Sequence, residues 1–273
     1  MNVQLIRLLL LILLGLTCPL NAIRAECQER YTPNLSLKLG SFFAIIDTTL
    51  RVDSSLGQGT EINLEDLLKF DRNKHVLQIQ GSWQLSQRFH LEAEYYRMTR
   101  TSNFIQLEED IQVRDVIFEA GSTLDGSIKK QLLRFNFYYD LIHTKRLNLG
   151  PYFGLNVTSN NYKLEARPGE VQKEISTDIN ELMPSFGLFS TLILHPKLYL
   201  NVGLDYFPYS LTDFWSFTQV NFETYLEYYP TRHIGLGIAY DYRSLKIESD
   251  QGVFLGKLKT KTSGFLAYVI LRL

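Results

Sequence analysis

From residue 35 to the C-terminus, apolar and polar positions alternate with a period of two. Successive side chains of a strand point to opposite faces, so this period marks strands with one apolar face. The last run puts Phe265, Ala267, Val269, Leu271 and Leu273 on one face. Gly264, Leu266, Tyr268, Ile270 and Arg272 take the other. Leu133, Phe135, Phe137, Tyr139 and Leu141 oppose Arg134, Asn136, Tyr138 and Asp140 in the same way. So do Val220, Phe222, Thr224, Leu226 and Tyr228 against Asn221, Glu223, Tyr225, Glu227 and Tyr229.

Ten such runs can be drawn: 35–52, 74–86, 88–103, 127–142, 146–164, 183–195, 197–207, 215–229, 233–247 and 256–273. Tight connections at Ser86-Gln87-Arg88, His143-Thr144-Lys145, His195-Pro196-Lys197 and Pro230-Thr231-Arg232 alternate with mostly longer segments. Short turns on one rim and long loops on the other are the habit of transmembrane barrels, with the short turns periplasmic. The expectation is therefore an all-β, closed antiparallel transmembrane β-barrel of about ten strands. Eight or twelve stay open, because Ile105 to Phe118 could hold strand extensions.

The polar faces carry Glu92, Glu94, Arg134, Asp140, Asp205, Glu223, Glu227, Asp241 and Arg243, with Gly203, Gly235 and Gly237 among them. Mixed charges, glycines and tyrosines fit a packed polar lumen with aliphatic side chains facing lipid. Alternation alone does not exclude the inverse arrangement.

The N-terminus tips that balance. Arg7 precedes an apolar run from Leu8 to Leu16, and Ala25 offers a small residue at a cleavage point, with Ala22 as a second choice. This reads as a secretory signal peptide, 1–25, too short for a membrane helix. Residues 26–34 would form a short periplasmic segment and 35–273 the barrel. Cleavage removes Arg7, Arg24 and Cys18, so the chain becomes more acidic than its formal net charge of −1. That argues against a nucleic-acid partner. Cys27 is then left without an internal disulfide partner and is read as a plain thiol. No mature run approaches the roughly 18 apolar residues of a membrane helix, and 16 Tyr with 17 Phe suit strands and membrane interfaces.

The C-terminal alternation through Phe265, Val269, Leu271 and Leu273 resembles the insertion signal of outer-membrane barrels, which usually ends in Phe. The mature chain is similar to small outer-membrane barrels grouped loosely with OmpA- and OmpW-like proteins. Gly59-Thr60-Glu61-Ile62-Asn63-Leu64-Glu65-Asp66-Leu67 looks like a segment of bacterial barrels of unassigned function, which usually continue with glycine where this chain has Leu68. The resemblance implies an outer-membrane location, with membrane lipid and the barrel assembly machinery as partners. It implies no activity, and any surface ligand stays unnamed.

Candidate chemistry is sparse. A barrel enzyme acting on lipid A or foreign protein needs its nucleophile or activated water near the outer rim, commonly through a histidine. Of the five histidines, His90, His143, His195 and His233 fall at the rim of tight turns. Only His75 is near the other rim, with Asp66 and Asp71 close in sequence, and an exposed loop residue is the plainer reading. Glu92 and Glu94 share a face at i, i+2. A charge-compensating network with Arg134, Arg243, Lys38 or Arg272 explains them better than acid–base catalysis, because unpartnered burial costs several kcal/mol. Gly235-Leu236-Gly237 lies within a strand, so it makes room for Tyr or Glu rather than cradling phosphate. Asn156-Val157-Thr158 matches a glycosylation pattern but lies in a strand. Asn63 as an N-cap before Leu64, Leu67 and Leu68 points to one amphipathic helical turn, either a lid or an exposed interaction loop.

The sequence thus supports a structural or surface-interaction barrel with a narrow, side-chain-filled lumen, and no catalytic residue, cofactor or metal. A small channel is the first alternative; a lipid- or peptide-cleaving barrel enzyme is the second.

Overall fold

The structure is a computed structural model, and it describes residues 34–53, 59–113, 116–166, 174–212, 215–249 and 255–273. The expected signal peptide, Cys27 and residues 26–33 lie outside the described residues.

Ten long strands form the wall: β1 (Leu35–Val52), β2 (Asn73–Gln84), β3 (Phe89–Gln106), β4 (Thr123–Tyr139), β5 (Leu147–Ala166), β6 (Glu174–His195), β7 (Leu198–Thr212), β8 (Trp215–Tyr228), β9 (Ile234–Ser249) and β10 (Gly256–Arg272). Each pairs antiparallel with its neighbour in sequence, and β10 closes on β1 from Ser36↔Arg272 to Val52↔Gly256. Closure gives every wall strand a hydrogen-bonded neighbour on each side over at least part of its length. Among the described residues no helix is long and apolar enough to cross a membrane, which says nothing of strands. Shorter strands lie inside the long loops: Ile62–Asn63 on β1, and a hairpin of Ile111–Val113 with Val116–Phe118. That hairpin is the extra strand material the sequence left open, and it stands apart from the wall.

The strands are longer than a bilayer needs. About 9–11 tilted residues cross the hydrocarbon, yet β5 and β6 have 20 and 22. Outward side chains divide them by height. Nearest the short turns they are apolar: Leu35, Leu37, Leu39, Phe43 and Ile45 on β1; Leu182, Phe186, Leu188 and Leu194 on β6; Phe265, Val269, Leu271 and Leu273 at the C-terminus. Farther up they turn polar: Asp47, Thr49 and Arg51 on β1, Ser159, Asn161 and Lys163 on β5, Lys246 and Glu248 on β9.

The inward face inverts at the same height. Level with the apolar belt it mixes the charged and polar residues with a second apolar cluster that includes Phe42, Ala44, Ile46, Val76, Leu266 and Ile270. Above the belt, Leu50 and Val52 of β1, Ile175, Ile179 and Met183 of β6, and Ile247 and Leu258 are buried together. In the belt, aliphatic and aromatic residues face outward as expected, and the charged residues face inward beside that apolar cluster. The expectation of aliphatic outside and polar inside is corrected above the belt, where the barrel follows the rule of a soluble protein and buries its apolar face.

The same inversion explains the boundary that differs most from expectation. The run from 183 begins instead at Glu174. Its added outward residues, Glu174, Ser176, Asp178 and Asn180, are polar, so the belt pattern is missing there. β6 nevertheless pairs β5 from Glu174↔Glu165 to Leu192↔Leu147.

Candidate functional site

The lumen is filled by two layers. The lower one is built from inward residues of strands on opposite sides of the barrel. Arg134 Nη2 of β4 lies 2.9 Å from Glu94 Oε2 on β3 and 2.7 Å from Glu223 Oε2 on β8. Its side chain is 1% exposed. Arg243 Nη2 of β9 donates to the other Glu94 oxygen at 2.8 Å and to Asp241 at 2.5 Å. Two arginines are thus bridged by one carboxylate, and the barrel is cross-braced from β3 and β4 to β8 and β9.

A second group surrounds Glu227, which accepts from Lys38 at 2.8 Å, Tyr229 at 2.7 Å and Tyr268 at 3.0 Å. The glycines of β9 make this possible. A Cβ at Gly235 would come within 2.6 Å of the Tyr229 ring, and one at Gly237 would overlap the Tyr268 ring. These glycines are spaces for tyrosine, as the strand context implied.

The remaining expected residues are placed separately. Glu92 does not touch Arg134; it accepts from Tyr138 Oη at 3.3 Å. Asp140 sits near the short-turn rim, where Asn148 and His143 approach it at 2.9 Å each. Arg272 stays outside the ion-pair network and lies over the Tyr229 ring at 3.2 Å. Asp205 accepts from Tyr152 at 2.7 Å and Asn221 at 2.8 Å. Above Arg134 and Arg243 is a cavity of about 40 Å³, bounded also by Met183 and Leu245. That is room for a few waters rather than a water column.

The upper layer is apolar and comes from the loops. Asn63 caps one helical turn: its Oδ1 accepts from the amides of Glu65 at 3.1 Å and Asp66 at 2.9 Å, and Leu67 N donates to Asn63 O at 3.0 Å. The turn folds inward, burying Leu64 and Leu68 with Phe70, while Leu67 is partly buried. Ile111, Val113 and Phe118 of the second loop join the same cluster. Thr60 and Gln112 tie the two loops: the Thr60 amide donates to Gln112 O, and the Gln112 amide donates to Thr60 Oγ1, each at 3.0 Å.

Two residues that the sequence did not single out anchor this layer. Glu65 Oε1 meets Arg100 Nη2 of β3 at 2.6 Å, and its Oε2 accepts from the Thr48 amide at 2.7 Å. Arg100 also donates to Asp71 O at 3.0 Å, and Ser102 bonds Leu68 O. The available signal was Arg100 on the inward parity of β3, opposite a loop acid flanked by leucines.

The described histidines are placed apart from one another, with His143 on Asp140 at the short-turn rim. His90 stacks on Tyr138 at 4.4 Å, and His75 points outward with its ring edge against Phe43 at 4.6 Å. Among the described residues no group of His, Cys, Asp and Glu could hold a metal.

No family model and no curated protein matches this chain. Solved structures do. The outer membrane protease OmpT from Escherichia coli is similar over 91% of this chain and 99% of its own, with a TM-score of 0.55 and 12% identity. Ail, the attachment invasion locus protein of Yersinia pestis, is similar over 88% and 99%, with a TM-score of 0.33 and 10% identity. AlkL, an outer membrane protein studied in lipid bilayers, covers 92% and 97%, with a TM-score of 0.39 and 11% identity. The fold is that of an outer-membrane β-barrel. Its neighbours in that fold have varied roles, so the fold alone assigns no activity.

Proposed function

We propose that this protein is a structural or surface-interaction barrel of the outer membrane, closed along its axis. The observation that carries this reading is the stacking of two different plugs, the braced charge layer around Arg134 and the apolar loop layer around Leu64 and Leu68. In this reading the short turns are periplasmic, and the polar-surfaced upper half stands outside the cell. Loop one acts as a fixed lid. The acids of the lower layer balance arginines and lysine and hold the wall in shape. The C-terminal strand through Phe265, Val269, Leu271 and Leu273 serves the assembly machinery, and membrane lipid covers the belt.

A catalytic role is disfavoured by the outward position of His75 and by the other histidines near the short-turn rim. Osmotic swelling of proteoliposomes tests the reading. Swelling in small sugars or salts no faster than in empty liposomes supports it. Solute-dependent swelling replaces it with a passive channel.

A further inference from the structure

The ladder between neighbouring wall strands stops short at two places. Between β2 and β3 it ends at Gln78↔Tyr96, and there loop one fills the space through Arg100 and Ser102. Between β6 and β7 it runs from His195↔Leu198 only to Gly187↔Asp205. Beyond that pair β6 stays on β5 as far as Glu174↔Glu165, and β7 stays on β8 as far as Thr212↔Trp215. Among the described residues no register joins β6 to β7 there.

This seam opens inside the apolar belt. Phe186 and Leu182 of β6 face outward just above the last pair, 54% and 63% exposed, and Tyr206 of β7 is 50% exposed. In an unbroken wall the backbone sheet separates outward rings from inward ones. Here the outward Phe186 and Phe207, which has the parity of the inward Asp205, stack at 5.7 Å and 30°. Phe153 touches Phe186 at 5.0 Å on the outside. Phe217, buried in the upper apolar layer, touches Phe207 at 5.6 Å on the inside. Aromatic rings therefore run without interruption from the lipid-facing surface to the core.

An open strand edge is costly in hydrocarbon, because its amides find no partner, and it invites an added strand. Each lip of the seam carries a proline, Pro184 on β6 and Pro208 on β7. Proline has no N–H to leave unpaired and discourages strand addition. The lips are thus suited to an apolar occupant rather than to a partner strand.

We propose that the β6–β7 seam is a binding groove for a hydrocarbon chain of a lipid in the leaflet on the long-loop side, seated against Phe186 and Phe207. The inference rests on the membrane reading above. The belt is continuous with the groove, so a lipid already covering the belt needs no new route to it.

Native protein in nanodiscs made with a phospholipid that carries a diazirine near its chain end tests this by photolabelling and peptide mass spectrometry. The expected result is adducts on Phe207, Met183 or Phe217 in addition to belt residues such as Phe43 and Leu155. Phe207→Lys should lose the adducts on Met183 and Phe217 and keep those on the belt. Adducts confined to the belt overturn the groove and leave the membrane reading standing. No adducts on the belt overturn that reading itself. Labelling of the groove by a diazirine fatty acid but not by the phospholipid overturns the lipid as occupant.

Discussion

Glu65, on a loop that folds into the barrel, and Arg100, on the wall, meet at 2.6 Å with side chains 0% and 1% exposed. A buried pair of this kind adds little over a well-packed apolar pair, but breaking it from one side strands a charge. The loss is then on the order of 3–5 kcal/mol. Arg100→Ala is expected to release loop one, because Glu65 would remain buried beside Thr48 with no cation. Limited proteolysis in detergent should show new cleavage between residues 59 and 72, with the barrel intact. Arg100→Ala with Glu65→Gln should be milder. Unchanged protection in the single variant contradicts the anchoring role.

The lower layer makes a similar prediction with two partners. Arg134 serves both Glu94 and Glu223, so Arg134→Gln leaves Glu223 without its cation and Glu94 with Arg243 alone. Its cost should exceed that of Glu223→Gln. Double-mutant cycles should show coupling of Arg134 to Glu94 and to Glu223, and little to Glu92. Equal coupling to Glu92 would mean that the rotamers of this layer differ from those described.

Height along the strand should decide the effect of outward charges. Leu155→Arg lies in the apolar belt and should cost about 2–4 kcal/mol in bilayer folding. Thr49→Arg lies above it, beside Arg51 and Lys259, and should cost far less. Equal costs at both positions would remove the division of the wall into a lipid-facing belt and an exposed upper half.

Gly237 is a matter of room. Gly237→Ala sets a methyl against the Tyr268 ring, which would have to leave Glu227. Overpacking of this type costs about 1–3 kcal/mol. Thermal unfolding in detergent should show the loss, and Gly237→Ala with Tyr268→Phe should recover little of it, because the ring is still present.

The strands and their faces were legible wherever lipid and lumen impose opposite chemistry, as at Leu133 to Leu141 against Arg134 to Asp140. Above the belt, water replaces lipid outside and loops replace polar side chains inside. Ser176, Asp178 and Asn180 against Ile175 and Ile179 then read as a loop, although they form the long end of β6. Arg134 with Glu94 could be read from adjacent strands. Arg134 with Glu223 could not, since that contact crosses the lumen between residues 89 apart. The helical turn at Asn63 was legible from its cap. Its anchor, Glu65 with Arg100, required knowing that the loop turns inward.

The closed axis is tested most directly by single-channel recording in planar bilayers, on protein shown to be folded by its faster migration before boiling. The expected trace for the native chain has no steady conductance steps, and for Arg100→Ala only brief, irregular ones, since the charge layer beneath remains. Large, stable steps from the native protein would contradict the two-plug lumen and make the barrel a pore.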